Sequence, residues 1–237
     1  MQPDPAQLIE SLELETPLIG FYDAPDTALF KPLCAPTPGK RSCLFAFYNA
    51  WLEGKTLHLT RDNHGCGGAG SWLFDVKTRT REEYIRFLVD DEGLKDTHEL
   101  MGDWIDAIHP YKPEHGNILI GPLLPARQQF LKTVTFLVNP DQLSLLITGA
   151  QYHASPADPA PTIAPFGSGC MQLVTSFPDL DAPQAVIGAT DIAMRRYLPP
   201  DMLAFTTTIP MFERLCSLDE RSFFHKAFLQ RLRASRK

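Results

Sequence analysis

A glycine-rich stretch carries the residues of this sequence that are best suited to chemistry: His64-Gly65-Cys66-Gly67-Gly68-Ala69-Gly70. It sets a histidine two residues before a cysteine on a backbone that bears few side chains. Glycine allows positive φ and lets another group approach the main chain closely. The stretch is therefore either a tight turn between a strand and a helix or a binding loop. In a binding loop, Cys66 and free N–H groups would face a cofactor or an anion near a helix start.

Three of the five cysteines occupy positions that favour a thiolate able to reach a ligand. Cys43 begins a predicted helix, Cys66 lies in the glycine stretch, and Cys170 follows a second loop rich in glycine and proline. No two cysteines have the two-residue spacing of a zinc ribbon or a ferredoxin. Cys43 and Cys216 also lie within helical apolar patterns, which are typical of small buried residues because free cysteine packs like an apolar side chain. Cys66 and Cys170 are therefore the stronger candidates for function.

Other polar residues add less to this pattern. His64 could act as a metal ligand, as a proton donor or as a surface turn residue. Asp191, Arg195 and Arg196 form a charged cluster after a predicted strand, which is more typical of a solvated helix face than of an anion grip. The sequence has no helical histidine pair around a glutamate, no phosphate loop and no nucleophile elbow. The glycine stretch also falls short of a dinucleotide-binding fingerprint.

The composition is that of an ordinary globular protein. The 237 residues are 44% hydrophobic, carry a formal net charge of −6 and fit a single domain over residues 1–237. The first residues lack the pattern of a secretory signal, and no stretch has the apolar length of a membrane span. An odd number of cysteines then favours reduced thiols in the cytoplasm. The basic segment 231–237 is typical of a solvated helix end, so we expect neither nucleic-acid nor membrane partners.

Hydrophobic periodicity and turn residues predict an α+β fold, with a mixed sheet flanked by helices. Asn139 and Pro140 are typical of a helix start, as the cap and the first helical residue. The predicted strands cover residues 18–22, 55–60, 117–124, 132–138, 171–176, 185–189 and 202–207. The predicted helices cover residues 6–14, 42–53, 71–76, 80–89, 97–108, 141–152, 211–217 and 218–232.

Two similar segments indicate an internal duplication, over residues 15–75 and 130–190. Phe21-Tyr22-Asp23-Ala24-Pro25-Asp26 resembles Phe136-Leu137-Val138-Asn139-Pro140-Asp141, and each stands at the end of a predicted strand. A proline-rich loop and a cysteine among glycines follow each segment: Cys66 in the first half, and Cys170 after Gly167-Ser168-Gly169 in the second. Two pseudo-symmetric halves would form one compact domain and bring both cysteine loops to one cleft.

These motifs, taken in order, resemble a widespread prokaryotic family known as domain of unknown function 169, or ArCR. The resemblance extends from Leu18 to Leu215 and rests on short motifs: Asp23-Ala24-Pro25, Cys43 at a helix start, Cys66-Gly67-Gly68-Ala69, the segment 136–143, Gly169-Cys170, and the segment 201–205 leading to Ile209-Pro210. It implies that Cys43, Cys66 and Cys170 stand where the family has cysteines. Met171 and Gln172 follow Cys170 here, where relatives often have more glycine. The family carries no established activity, so the resemblance implies none.

We therefore expect a cytoplasmic protein that binds a cofactor or small molecule at a cysteine-lined site. An iron–sulfur cluster, or another metal site with a redox role, suits thiolate ligands best. His64 is the nearest candidate for a fourth ligand beside three cysteines. A shared cluster requires Cys66 and Cys170 to lie within about 10 Å of each other, because thiolate–metal bonds are only about 2.3 Å long. The residues expected to hold the cofactor are Cys43, Cys66, Gly67, Gly68 and Cys170.

Two alternatives to a cluster stay open at this point. In a thiol-dependent enzyme, Cys66 would act as the nucleophile, with His64 or a distant histidine as its base. In a protein without a redox role, the glycine stretch would let a flat organic ligand lie against the backbone. Selective alkylation distinguishes the enzyme, which has one fast-reacting thiol, from the cluster, which protects three cysteines together.

Overall fold

The computed structural model of this chain describes residues 5–164 and 169–236, and these contain one eight-stranded sheet with helices on both faces. The strands are β1 (Ile19–Asp23), β2 (Leu33–Cys34), β3 (Thr56–Thr60), β4 (Asn117–Pro122), β5 (Leu131–Val138), β6 (Thr162–Ile163), β7 (Ala185–Gly188) and β8 (Leu203–Thr208). The helices are α1 (Ala6–Leu12), α2 (Tyr48–Leu52), α3 (Gly67–Phe74), α4 (Arg81–Arg86), α5 (His98–Asp106), α6 (Pro140–Gln151), α7 (Ile209–Cys216) and α8 (Ala227–Arg236). The predicted α+β class, with a mixed sheet between helices, is confirmed.

The strands follow the order β2-β3-β4-β1-β5-β8-β7-β6. Neighbouring strands are antiparallel except at the two edges, where β2 runs parallel to β3 and β6 runs parallel to β7. This order is the same on both sides of the central β1–β5 pair, so that β4 matches β8, β3 matches β7, and β2 matches β6. The internal duplication itself stays a prediction. Its predicted bounds, 15–75 and 130–190, leave out β4 and β8, which complete the two sets of four strands.

Both faces of the sheet are covered by helices. Successive side chains of a strand point to opposite faces, so Phe21 packs on one face and Tyr22 on the other. Helices α2, α3, α4 and α5 cover the first face, and α1, α6, α7 and α8 cover the second. The core of the first face includes Leu57, Ile118, Ile120, Trp72, Leu73 and Met101. The core of the second includes Val134, Phe136, Phe205, Leu146, Phe212 and Leu229.

Local sequence signals fix several element boundaries. The side chain of Asn139 accepts a hydrogen bond from the Gln142 N–H, and the side chain of Gln142 accepts one from the Asn139 N–H. Pro140 lies in the first turn of α6, as predicted. The helix predicted over 42–53 is instead a 3₁₀ turn, Leu44–Phe47, followed by the short α2. The helix predicted over 218–232 is divided in the same way, by a 3₁₀ turn at Phe223–His225 before α8.

The strand predicted over 171–176 is wrong, because this segment forms a 3₁₀ turn at Met171–Leu173. Buried side chains take the hydrogen bonds that a neighbouring strand would have supplied. Gln172 Oε1 accepts a hydrogen bond from the Ala189 N–H, and the Leu173 carbonyl accepts one from the Thr133 hydroxyl at 2.5 Å. Gly167 and Ser168, which belong to the second predicted cysteine loop, lie outside the described residues.

The two-residue edge strands β2 and β6 escaped prediction, because two residues are too few to show a period. Within the described residues, none of the helices combines the length and the apolar character needed to cross a membrane.

Candidate functional site

Cys43, Cys66 and Cys170 line one cavity of about 520 Å³ on the first face of the sheet. Each is the residue immediately before a helical turn: Cys43 precedes the 3₁₀ turn Leu44–Phe47, Cys66 precedes α3, and Cys170 precedes the 3₁₀ turn Met171–Leu173. Backbone N–H groups are free of intrahelical partners at such positions. The three thiols are therefore held by three separate chain segments that meet at the cavity.

Helix α3 begins at Gly67, not at residue 71 as predicted. Cys66 caps it, because its Sγ accepts a hydrogen bond from the Ala69 N–H at 3.4 Å, in the place usually taken by a serine or aspartate oxygen. Gly65 is the residue of this stretch that requires positive φ, at +82°. A Cβ at Gly65 would also lie 2.6 Å from the Ser42 carbonyl oxygen. The stretch is thus a turn at Gly65 followed by helix α3, whose first two residues are glycines.

Gly68 lies between two of the thiols. A Cβ at this position would lie 3.4 Å from Cys170 Sγ and 3.9 Å from Cys66 Sγ. The two sulfurs are therefore no further apart than the sum of these distances, which is inside the limit of about 10 Å for a shared cluster. A Cβ at Gly67 would instead lie 3.1 Å from Thr78 Oγ1. The absence of a side chain at Gly68 thus lets both sulfurs approach the helix backbone at this point, and the backbone itself stays helical.

The thiol of Cys43 is hard to ionise in this cavity. Burial raises its pKa to about 11, and the negative charges of Cys66 and Asp191 add to this effect. The N–H groups of Phe45 and Ala46 act in the opposite sense and lower the pKa. Cys43 therefore carries its proton at neutral pH in the cofactor-free protein, in the cavity that it shares with Cys66 and Asp191.

His64 lies outside the lining of this cavity as far as the described residues define it. Its Nδ1 is 2.8 Å from the Cys66 carbonyl oxygen, and since a carbonyl can only accept, Nδ1 carries the proton. The imidazole occupies the space left by Gly70, where a Cβ would lie 2.6 Å from His64 Cε1. His64 thus supports the shape of the turn, and its geometry gives no support to its predicted role as a fourth ligand.

Asp191 lines the cavity and was missed as a site residue. It follows β7 as Cys66 follows β3, and these strands match each other in the sheet order. The sequence signal for Asp191 was its place directly after a strand, within a charged cluster. Arg195 of the same cluster has a structural role, because its guanidinium donates to the backbone carbonyls of Ala189, Met202 and Pro199.

The walls of the cavity are apolar and aromatic, and its rim is charged. Wall residues include Trp72, Tyr84, Phe87, Leu88, Leu94 and Ile105. The exposed rim includes Arg81, whose guanidinium pairs with Asp106 at 2.6 Å, and Asp75, which lies 4.0 Å from the Lys112 ammonium. Both the volume and this mixture of surfaces are typical of small-molecule sites.

The arrangement of possible metal ligands can be compared with the predicted metal site. In the residues that the structure describes, no group of three or more His, Cys, Asp or Glu side chains is arranged to hold a metal ion. An iron–sulfur cluster distributes its thiolate ligands over more than one iron, so the ligand sulfurs as a set lie further apart than those around a single ion. The finding gives no support to the predicted metal site, and the iron–sulfur cluster stays a prediction.

Comparison with known proteins places most of the chain in one family. No curated protein and no solved structure matches this chain. A family model described as DUF169, uncharacterised ArCR, matches residues 7–217, a span that contains all three cavity cysteines and Asp191. The chain therefore belongs to the family of domain of unknown function 169, ArCR.

Proposed function

We propose that this protein binds an iron–sulfur cluster through Cys43, Cys66 and Cys170, and that a small molecule binds in the cavity beside the cluster. The observation that carries the proposal is the convergence of these three thiols on one cavity, with Gly68 leaving room between two of them. Thiolates are the ligands that iron–sulfur clusters require. When bound, such a cluster would supply electron transfer or an electrophilic iron.

Asp191 is the residue that we assign to the fourth position, in place of His64. It lines the same cavity as the three thiols and its charge raises the pKa of Cys43, whereas His64 bonds to the Cys66 carbonyl. A carboxylate is a harder ligand than a thiolate and suits iron in such clusters less well. Asp191 would therefore be a ligand that a small molecule in the cavity can displace.

The test is cluster loading of cysteine variants under anaerobic conditions. Wild-type protein reconstituted with iron and sulfide is expected to absorb visible light and to contain both elements. Cys43→Ser, Cys66→Ser and Cys170→Ser should each reduce the bound iron. Cys34→Ser and Cys216→Ser are matched controls and should load like the wild type, because neither residue lines the cavity. Colourless, iron-free wild-type protein, or equal iron in Cys66→Ser and Cys216→Ser, would contradict the proposal.

A second pair of variants separates cluster binding from folding. In Gly68→Ala, the new Cβ meets both sulfurs at ordinary contact distances, so loading should persist. In Gly68→Val, the additional methyl groups extend into the space between Cys66 and Cys170 and should prevent loading. The helix propensities of glycine and valine differ by less than about 1 kcal/mol, so a melting temperature measured on each variant shows whether a loss of loading comes from unfolding. Loading of Gly68→Val at the wild-type level would show that the cluster does not lie between these thiols.

One observation favours a thiol enzyme as a second candidate function. Cys66 presents its sulfur to the cavity at the start of α3, where an N–H group already donates to it. His64 is not placed to act as its base across the cavity, so this enzyme would need another base. Iodoacetamide labelling distinguishes the candidates: the enzyme predicts one fast thiol at Cys66 whether or not iron is supplied. The cluster instead predicts protection of three cysteines only after loading.

A further inference from the structure

Tyr84 holds a hydrogen-bond donor that the described part of the chain leaves without an acceptor. The Trp72 indole N–H donates to the Tyr84 hydroxyl at 3.1 Å. An indole nitrogen can only donate, so the phenol oxygen acts as the acceptor in this bond and its own proton remains to be given. Trp72 is 3% exposed and fixes the phenol in place.

The Tyr84 hydroxyl belongs to the same cavity as the thiols. Both Tyr84 and Trp72 line the cavity, as do Cys66 and Cys170. Burial raises the pKa of Tyr84, and the charges of Cys170 and Cys66, which line the same cavity, raise it further. The hydroxyl therefore keeps its proton at neutral pH and can only complete its hydrogen bonding by donating to an acceptor.

The other walls of the cavity limit which kind of molecule can supply that acceptor. The walls near Tyr84 are apolar, with Phe87, Leu88 and Ile105 among them. At the rim, Arg81 is paired with Asp106, and the Arg79 guanidinium lies 4.0 Å from the centre of the Phe87 ring. A volume of about 520 Å³ suits a compact organic molecule.

We infer that the cavity binds a compact, mainly apolar carbonyl compound, and that Tyr84, positioned by Trp72, donates a hydrogen bond to its oxygen. The inference rests on the proposed function in taking the thiol-lined cavity as the functional site. It adds the class of small molecule and the residue that recognises it. Tyr84 is thus a specificity-determining residue for the ligand that reaches the thiols.

Two probes of similar shape test this inference: acetophenone, which has a carbonyl oxygen, and ethylbenzene, which lacks one. Their dissociation constants are measured by NMR titration of the full-length, ¹⁵N-labelled protein. Tyr84→Phe should weaken acetophenone binding about fivefold, the worth of one hydrogen bond, and leave ethylbenzene binding unchanged. Tyr152→Phe, an exposed tyrosine outside the cavity, should change neither constant.

Ethylbenzene controls for a change in cavity shape, because a structural effect of Tyr84→Phe would weaken both probes equally. Equal weakening, no weakening, or no binding of either probe would overturn the inference. Failure of the proposed function gives a different result. Cluster-free protein that still shows the selective loss with Tyr84→Phe would remove the cluster and leave the carbonyl site. Protein that loads a cluster but shows no selective loss with Tyr84→Phe would remove the carbonyl site and leave the cluster.

Discussion

At the scale of single residues, the half-buried thiol of Cys43 ionises only at high pH. Burial raises its pKa to about 11, with smaller contributions from the charges of Cys66 and Asp191. The folded state thus favours the protonated thiol more than the unfolded state does. Cys43 therefore contributes stability below the unfolded pKa, and this contribution is lost as the pH rises through about 11.

This shift predicts slow alkylation of Cys43 in the cofactor-free protein. At pH 8, iodoacetamide should modify Cys43 about a hundredfold more slowly than an ordinary exposed thiol, because the thiolate is the reactive form. The rate should still rise about tenfold between pH 9 and pH 10, where an ordinary thiol levels off. Peptide mass spectrometry measures the rate, and the same residue in urea is the control. A rate that levels off below pH 9 would disprove the shift.

At the scale of elements, Asp23 connects the end of β1 to the segment before β4. Its side chain is 1% exposed and accepts hydrogen bonds from the Tyr111 hydroxyl at 2.7 Å, the Glu114 N–H at 2.7 Å and the His115 N–H at 3.0 Å. The same segment carries Pro110, which lines the cavity. Asp23 therefore holds this segment, and with it one wall of the cavity, against the end of β1.

We expect Asp23→Ala to lower the free energy of unfolding by about 2–3 kcal/mol, because the Tyr111 hydroxyl and the N–H groups of Glu114 and His115 lose a charged acceptor. Urea denaturation measures the change. Asp26→Ala is the matched control: Asp26 is exposed and accepts a hydrogen bond from the Ala28 N–H, so its loss should cost less than about 1 kcal/mol. Similar values for the two variants would show that the Asp23 hydrogen bonds add little.

At the scale of the whole molecule, the sheet separates two apolar cores, of which the first borders the cavity. The cavity and its three cysteines belong to the first face, with α3 and α4. The second face is packed by α6 and α7, where Phe212 stacks near Phe136 with 6.1 Å between ring centroids. Stability can therefore be lowered from the second face without touching the site.

Phe212→Ala should cost about 3–5 kcal/mol through the cavity it leaves in the core. The iron bound per folded molecule should stay at the wild-type level, because the sheet lies between Phe212 and the thiols. Phe212→Leu, a smaller change, keeps the measurement possible if the alanine variant does not fold. Thermal melting and iron analysis on the same samples provide the check. Loss of iron from a folded Phe212 variant would show that the two faces are coupled.

The sequence by itself determined the features that depend on neighbouring residues. Asn139 and Pro140 begin α6 because a cap and a fixed φ act within one turn. The β-branched and aromatic residues of 132–138 form a strand because their side chains fit a buried sheet. The α+β class follows from such local signals, and the short cysteine and glycine motifs are enough to identify the family.

Only the tertiary structure decided where the cysteines meet and which residues join them. Cys43, Cys66 and Cys170 share a cavity because the strand order brings distant connections together, and no local period encodes that order. Gln172 forms a turn, not a strand, because its buried side chain bonds to the Ala189 N–H. Asp191 lines the cavity because it follows β7, the strand that corresponds to β3 in the other half of the sheet. Contacts between residues far apart in the chain depend on the whole packed sheet, so they become visible only once the fold is known.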